Sequence, residues 1–169
     1  MNYFGIILTV CLLNTVFTQE VKKVRDCVWA TSDLTLDLTD LYFFEYFNHN
    51  NPGTFRYYPC KVYSNWDPSV CTIGNNPALC QKYQGPTHLI GNQSQLVVTL
   101  VKPYTFELMY FGGNNNRKGI VTITCFQDDD VFYFDYEVFP IYHFSMSVKT
   151  ACKTYGRVGE YQTDSRKEL

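Results

Sequence analysis

The clearest alternation of apolar and polar residues in the chain runs from residue 141 to residue 150. A period of two residues is typical of a β-strand with one buried face, because successive side chains point to opposite sides. We therefore predict a strand here whose inward face continues to the cysteine at position 152. That face consists of Tyr142, Phe144, Met146, Val148, Thr150 and Cys152.

Shorter segments with similar patterns fill much of the remaining chain, and no helical period of useful length competes with them. The aromatic fraction is 17%, with 14 Tyr and 13 Phe, and aromatic side chains favour the half-buried surface of a pleated sheet. We predict one all-β domain, a flattened barrel or sandwich of antiparallel strands. The further strand candidates are residues 34–38, 55–58, 95–101, 105–111, 119–125 and 131–139, and residues 64–79 are predicted to form a loop.

The N-terminus has the features of a secretory signal peptide. An apolar run from Tyr3 to Leu13 is followed by polar residues and by Thr18, a small residue that suits a cleavage site. The run is shorter than the roughly 20 apolar residues that span a bilayer, and no later segment is apolar enough to do so. We predict a signal peptide at residues 1–18, a folded domain at 27–152 and a flexible tail at 153–169, in the secretory pathway or outside the cell.

The cysteine content agrees with an oxidising compartment. Of seven cysteines, Cys11 lies in the predicted signal peptide. The six that remain are enough for three disulfides, and their spacing alone leaves the pairing open. Asn92-Gln93-Ser94 is an N-glycosylation sequon, so Asn92 is a candidate glycosylation site.

Several functional classes lack support in the sequence. The formal net charge is -2 and no basic stripe is present, which argues against nucleic acid as a partner. Motifs for nucleophilic, metal-dependent or nucleotide-dependent catalysis are absent, so we do not expect an enzyme. The three histidines are scattered, and the acidic run 128–130 lacks the spaced ligands of a calcium loop. We expect neither a metal nor a cofactor.

A set of motifs in the second half of the chain points to a family. Residues 108–113 read Leu-x-Tyr-x-Gly-Gly, and Arg117 stands eight residues before Cys125. Tyr142 begins a Tyr-x-Phe motif that leads to Ala-Cys at Cys152, and upstream stands Cys-Gln at residues 80–81. Together these motifs resemble the mannose-6-phosphate receptor homology domain. The resemblance covers roughly residues 27–152 and implies a lectin that binds mannose on N-linked glycans.

The resemblance also implies a set of sugar-binding residues. In this family a Gln, an Arg, a Glu and a Tyr hold one mannose through its hydroxyls. The chemistry is suitable, because a hexose needs both fixed donors and fixed acceptors, and these four side chains supply them. Glu107 remains an alternative carboxylate, since the segment between the matching Glu and Tyr is shorter than usual. The matching positions are Gln81, Arg117, Glu137 and Tyr142.

The family pattern further implies how the cysteines pair: Cys27 with Cys60, Cys71 with Cys80, and Cys125 with Cys152. A further bridge that is common in the family is missing here together with both of its cysteines, which leaves a short Asn-rich turn at residues 114–116. In phosphate-recognising members the longer loop helps to surround the phosphate. We therefore predict recognition of unphosphorylated mannose.

Two other roles remain open. The chain could be a non-catalytic accessory subunit that presents glycoproteins to a glycan-processing enzyme or a quality-control complex, with a protein partner in the secretory pathway. It could also be a structural secreted domain whose sugar site has decayed. Stable co-purification with a partner would favour the first role, and an Arg117→Ala variant with unchanged glycan binding would favour the second.

Overall fold

The computed structural model describes residues 19–48, 53–60, 76–83 and 85–154, and most of these lie in β-strands. The prediction of an all-β barrel or sandwich is confirmed. Apart from strands, the described residues contain one 3₁₀ turn at Asn114–Asn116. The strands are β1 (Lys22–Arg25), β2 (Val28–Ala30), β3 (Leu34–Asp37), β4 (Phe44–Asn48), β5 (Gly53–Tyr57), β6 (Pro77–Lys82), β7 (Thr87–Lys102), β8 (Thr105–Gly112), β9 (Lys118–Cys125), β10 (Val131–Val138), β11 (Ile141–Val148) and β12 (Cys152–Thr154).

The strands form two sheets. The larger has eight strands in the order β10-β11-β9-β8-β7-β6-β5-β4, and the smaller has the order β1-β2-β3-β12. The outer strands β10 and β4 meet through aromatic pairs, Phe44 with Phe132 and Tyr46 with Phe134, so the large sheet nearly closes into a barrel. One pair departs from the predicted antiparallel arrangement: β9 and β11 run parallel, because β10 carries the chain back before β11 returns beside β9.

Stacked aromatic rings fill the barrel. Phe132 stacks on Phe144 with ring centroids 5.2 Å apart, and Phe55 stacks on Phe134 at 4.5 Å. Each buried ring removes a large apolar surface from water, and offset ring pairs add about 0.5–1.5 kcal/mol beyond that burial. The apolar face that the alternation in β11 predicts therefore lies inside the barrel.

Two described disulfides join the small sheet to the large one. Cys27 bonds to Cys60 and Cys125 bonds to Cys152, as predicted. Cys80 is also disulfide-bonded, and its predicted partner Cys71 lies outside the described residues. Cross-links that close loops of 33 and 27 residues each stabilise the fold by about 3 kcal/mol through the entropy of the unfolded chain. They attach the small sheet, which has too little surface for a core of its own.

The structure corrects several boundaries. Strand β11 ends at Val148, Thr150 is exposed, and Cys152 begins β12 in the other sheet rather than continuing the face of β11. The predicted loop 64–79 is wrong at its end, because residues 77–79 belong to β6. Two residues of the predicted flexible tail, 153 and 154, pair with β3. The rest of that tail and the predicted signal peptide lie outside the described residues.

A search for membrane-spanning helices finds none of sufficient length and apolar character among the described residues.

Candidate functional site

A tight turn between β8 and β9 presents Arg117. The Gly113 N–H donates to the Arg117 carbonyl oxygen at 3.2 Å, and the Arg117 N–H donates to the Asn114 carbonyl oxygen at 3.1 Å. The Leu89 N–H donates to Oδ1 of Asn114 at 2.7 Å, which fastens the turn to β7. A side chain at position 113 would collide with the backbone of Ile90 and Arg117. The second position of the Gly-Gly motif therefore requires glycine for steric reasons.

The Arg117 guanidinium is fixed by three contacts. Its Nε donates to the Tyr142 hydroxyl at 3.0 Å, and its Nη1 donates to the Asn114 carbonyl oxygen at 3.2 Å. Its Cζ lies 5.6 Å from the centre of the Phe139 ring, at the tip of the β10–β11 hairpin. A planar fork of donors that is held in place loses little freedom when it binds a further acceptor.

A β-bulge determines where Glu137 points. Up to Phe134, which pairs with Phe144, the inward residues of β10 pair with the inward residues of β11. The register then shifts by one residue at Asp135, so that Tyr136 pairs with His143 and Glu137 pairs with Tyr142. If residues 134–137 alternated without the bulge, Tyr136 would pair with Tyr142 and Glu137 would lie on the outer face, because side chains alternate along a strand. The bulge therefore brings Glu137 to the face of the barrel that carries Tyr142.

The Tyr142 hydroxyl lies between Arg117 and Glu137. The residue is 2% exposed, and its ring centre lies 6.3 Å from that of Phe55. Burial raises the pKa of its hydroxyl, the Arg117 guanidinium lowers it, and the Glu137 carboxylate raises it. The hydroxyl is therefore neutral at physiological pH and lies between a donor and an acceptor of opposite charge.

Gln81 lies on the inner face of β6, near the same end of the barrel. Leu79, two residues earlier on that face, packs against Gly119, where a larger residue would collide with it. Because β6 and β9 run in opposite directions, the step from Leu79 to Gln81 leads toward Arg117. Gln81 is 1% exposed, and its Oε1 has no hydrogen-bond partner among the described residues. A buried acceptor without a hydrogen-bond partner lowers the stability of the fold by about 1–3 kcal/mol.

Sequence reasoning missed His88 as a member of the group. It pairs with Gln81 across β6 and β7, so the two side chains share one face. Burial lowers the pKa of the half-buried imidazole and the Arg117 charge lowers it further. The effect of the Arg117 charge on His88 is consistent with Arg117 lying close to the Gln81 end of the sheet. The signal in the sequence is weak, because a lone histidine in a strand does not reveal what faces it.

The other candidates lie elsewhere. Glu107 pairs with Thr122, three positions along β9 from Gly119, the partner of Tyr142. Glu107 also alternates with the buried Leu108, so it belongs to the outer face of β8. Asn92 lies within β7, where its Oδ1 accepts from the Ser94 N–H and hydroxyl at 2.9 and 2.8 Å. Of the two candidate carboxylates, the structure brings Glu137 to Tyr142.

A separate groove of about 870 Å³ runs between the small sheet and β7. It contains none of the four predicted residues. Its basic side chains pair with carboxylates, Lys23 with Asp26 at 2.7 Å and Arg25 with Asp37 at 3.2 Å. We place the candidate site at Gln81, Arg117 and Tyr142 rather than in this groove.

Two comparisons with known proteins identify no relative of this chain. No protein-family model matches the chain, and no curated protein matches it at a significant level. The likeness to the mannose-6-phosphate receptor homology domain therefore depends on the motifs and stays a prediction.

Proposed function

We propose that this chain is a non-catalytic lectin that binds a terminal mannose of N-linked glycans through Gln81, Arg117, Glu137 and Tyr142. Three parts of the chain contribute these residues: β6, the turn before β9 and the β10–β11 hairpin. They combine a rigid cation, an anion, an amide and a phenol, which match the mixed donor and acceptor character of sugar hydroxyls.

The observation that carries the proposal is the buried Oε1 of Gln81, which has no partner within the described ranges of the chain. Buried polar groups in folded proteins nearly always have a hydrogen-bond partner, and each exception needs an explanation. A sugar hydroxyl that donates to Oε1 would remove the penalty on binding. It would also make the site selective, because an epimer without a hydroxyl at that place would leave Oε1 unpaired.

The charges support a neutral ligand. The positive charge of Arg117 is accompanied by the negative charge of Glu137, and both act on the same hydroxyl of Tyr142. A second cation next to Arg117 is disfavoured, because that charge lowers the pKa of His88. A dianionic phosphate would meet Glu137 without a surplus of positive charge. We therefore keep unphosphorylated mannose as the proposed ligand.

A small polar site of this kind binds weakly, with a Kd of roughly 10 μM to 1 mM, because it desolvates few apolar atoms. The proposed setting is glycoprotein sorting or quality control in the secretory pathway. Several glycan chains, or a protein partner that holds the glycoprotein, would then supply avidity.

Glycan-array binding of the oxidised full chain tests the proposal, with Arg117→Ala beside it and circular dichroism to verify the fold. We expect the chain to bind high-mannose glycans and the variant to lose at least about tenfold in affinity, since one charge-assisted contact contributes about 1.5–3 kcal/mol. Binding confined to phosphorylated glycans would contradict the unphosphorylated ligand. Equal binding by both proteins would contradict the site.

A further inference from the structure

We propose that the ring of Phe139 forms a second sugar subsite, which binds the residue next to the terminal mannose. This inference rests on the proposed function and extends it from a monosaccharide to an oligosaccharide. It makes Phe139 a specificity-determining residue at the rim of the site.

The position of Phe139 suits this role. The residue lies at the tip of the β10–β11 hairpin, two positions after Glu137 and three before Tyr142. Its ring centre is 5.6 Å from the guanidinium carbon of Arg117, whose Nε donates to the Tyr142 hydroxyl. A sugar held by Arg117 and Glu137 would therefore have Phe139 at its edge, within reach of an adjacent residue of the glycan.

Phe139 is exposed although contacts hold its ring in place. Its exposed fraction is 62%, whereas the barrel rings Phe55 and Phe144 are 2% and 0% exposed. The guanidinium covers part of the ring and the remainder faces solvent. The hairpin tip itself is held by the Lys118 N–H, which donates to the Pro140 carbonyl oxygen at 2.9 Å. The exposed ring is thus positioned before any ligand arrives, which lowers the entropy lost on binding.

The chemistry selects a pyranose. One face of a hexose ring presents several C–H groups whose hydrogens carry partial positive charge, and the face of an aromatic ring is negative. The apolar face of the second sugar can stack there while its hydroxyls remain in water. The Arg117 cation over the ring holds Phe139 in place, and most of the residue remains exposed to a ligand.

The test compares the affinity of the full chain for methyl α-mannoside and for an α-linked mannose trisaccharide by titration calorimetry. The informative quantity is the ratio of the two affinities, because it cancels effects that reach the primary site through Arg117. We expect Phe139→Ala and Phe139→Leu to lower the preference for the trisaccharide about three- to tenfold, the range that one aromatic stacking contact supplies. Phe139→Tyr, which keeps the ring, should preserve the preference.

Tyr133→Ala is the matched control, because Tyr133 is a 52% exposed aromatic residue on the outer face of β10, the strand that leads to Phe139, and lies away from the site. An equal ratio in Phe139→Ala and the unmodified chain would overturn the subsite, even if both affinities fall together. A trisaccharide preference that Tyr133→Ala also removes would overturn it as well. If the unmodified chain binds neither sugar, the proposed function itself fails, and that outcome is distinct from a changed ratio.

Discussion

Strands β10 and β11 form one hairpin and yet differ in the regularity of their patterns. In β11 buried and half-exposed residues alternate without interruption from Ile141 to Val148. In β10 the alternation is lost after Phe134, and the residues that follow are exposed. The regular strand supplies the core, whereas the irregular one supplies Glu137 to the candidate site.

The difference shows how a site can be built on a stable sheet. An uninterrupted alternation fixes the register because any slip would expose the apolar face. A single extra residue, Asp135, breaks the alternation in β10 at the point where the core ends. The Glu137 carboxylate then takes the place next to Tyr142 that Tyr136 would occupy in a regular strand.

The largest effect is expected in the regular strand. Phe144 is 0% exposed and contacts the rings of Phe55, Phe132 and Phe134. Phe144→Ala should lower the free energy of unfolding by about 3–5 kcal/mol. Tyr133→Ala, on the exposed side of β10, should change it by no more than about 0.5–1 kcal/mol. Chemical denaturation measures the free energy of unfolding of both variants. An equal decrease in the two would contradict the proposed difference between the strands.

Removal of the bulge tests directly whether the irregular register of β10 positions Glu137. Deletion of Asp135 together with Tyr136 removes the bulge and pairs Glu137 with His143 on the outer face, so mannose affinity should fall about 100-fold. Asp135→Ala is the control, because it keeps the residue count and loses only the hydrogen bond from the Ser145 hydroxyl to the carboxylate, at 2.6 Å. The substituted chain should retain its affinity. Titration calorimetry compares the two, and full binding by the deletion variant would show that the bulge does not position Glu137.

The smallest effect concerns pH and the histidines. Burial and Arg117 hold the pKa of His88 below its ordinary value of 6.5. The unfolded chain therefore takes up this proton at a higher pH than the folded chain. The free energy of unfolding should be constant above about pH 7.5 with respect to this group. It should decline as the pH falls from 6.5 toward the folded-state pKa.

His88→Gln should remove part of that decline. His143→Gln is the matched variant, because His143 lies on the outer face of β11 and stacks on Tyr136. Urea denaturation at pH 7.5 and pH 5.5 compares the slopes of the two variants with that of the unmodified chain. An unchanged slope in His88→Gln would contradict the assignment.

The sequence predicts the regular parts of the fold well. The alternation in β11 and in residues 119–125 reflects one buried face, which is a local property of a strand. Pairing of Cys27 with Cys60 and of Cys125 with Cys152 was also predictable, because it follows from the family resemblance. Strand β6 was not predicted at all. It is buried along nearly its whole length, so its sequence has no alternation to detect.

The candidate site was less accessible to sequence reasoning. The motifs identify Arg117 and Tyr142, but they do not contain the bulge that places the exposed Glu137 beside Tyr142. The parallel pairing of β9 with β11 decides that Tyr142 lies beside Gly119, and no local pattern encodes it. His88 and Phe139 belong to the group only through contacts across strands, so their roles emerge from the three-dimensional arrangement.

The most direct test of the account is Gln81→Met, measured for both stability and mannose binding. Met has a similar length and no acceptor that requires a hydrogen bond, so it removes the buried Oε1 without opening a large cavity. If Gln81 is retained for a ligand, the variant should be as stable as the unmodified chain or more stable, and its mannose affinity should fall at least about tenfold. A loss of unfolding free energy of about 1–3 kcal/mol together with unchanged mannose affinity would contradict the account, because Gln81 would then serve the fold rather than a sugar.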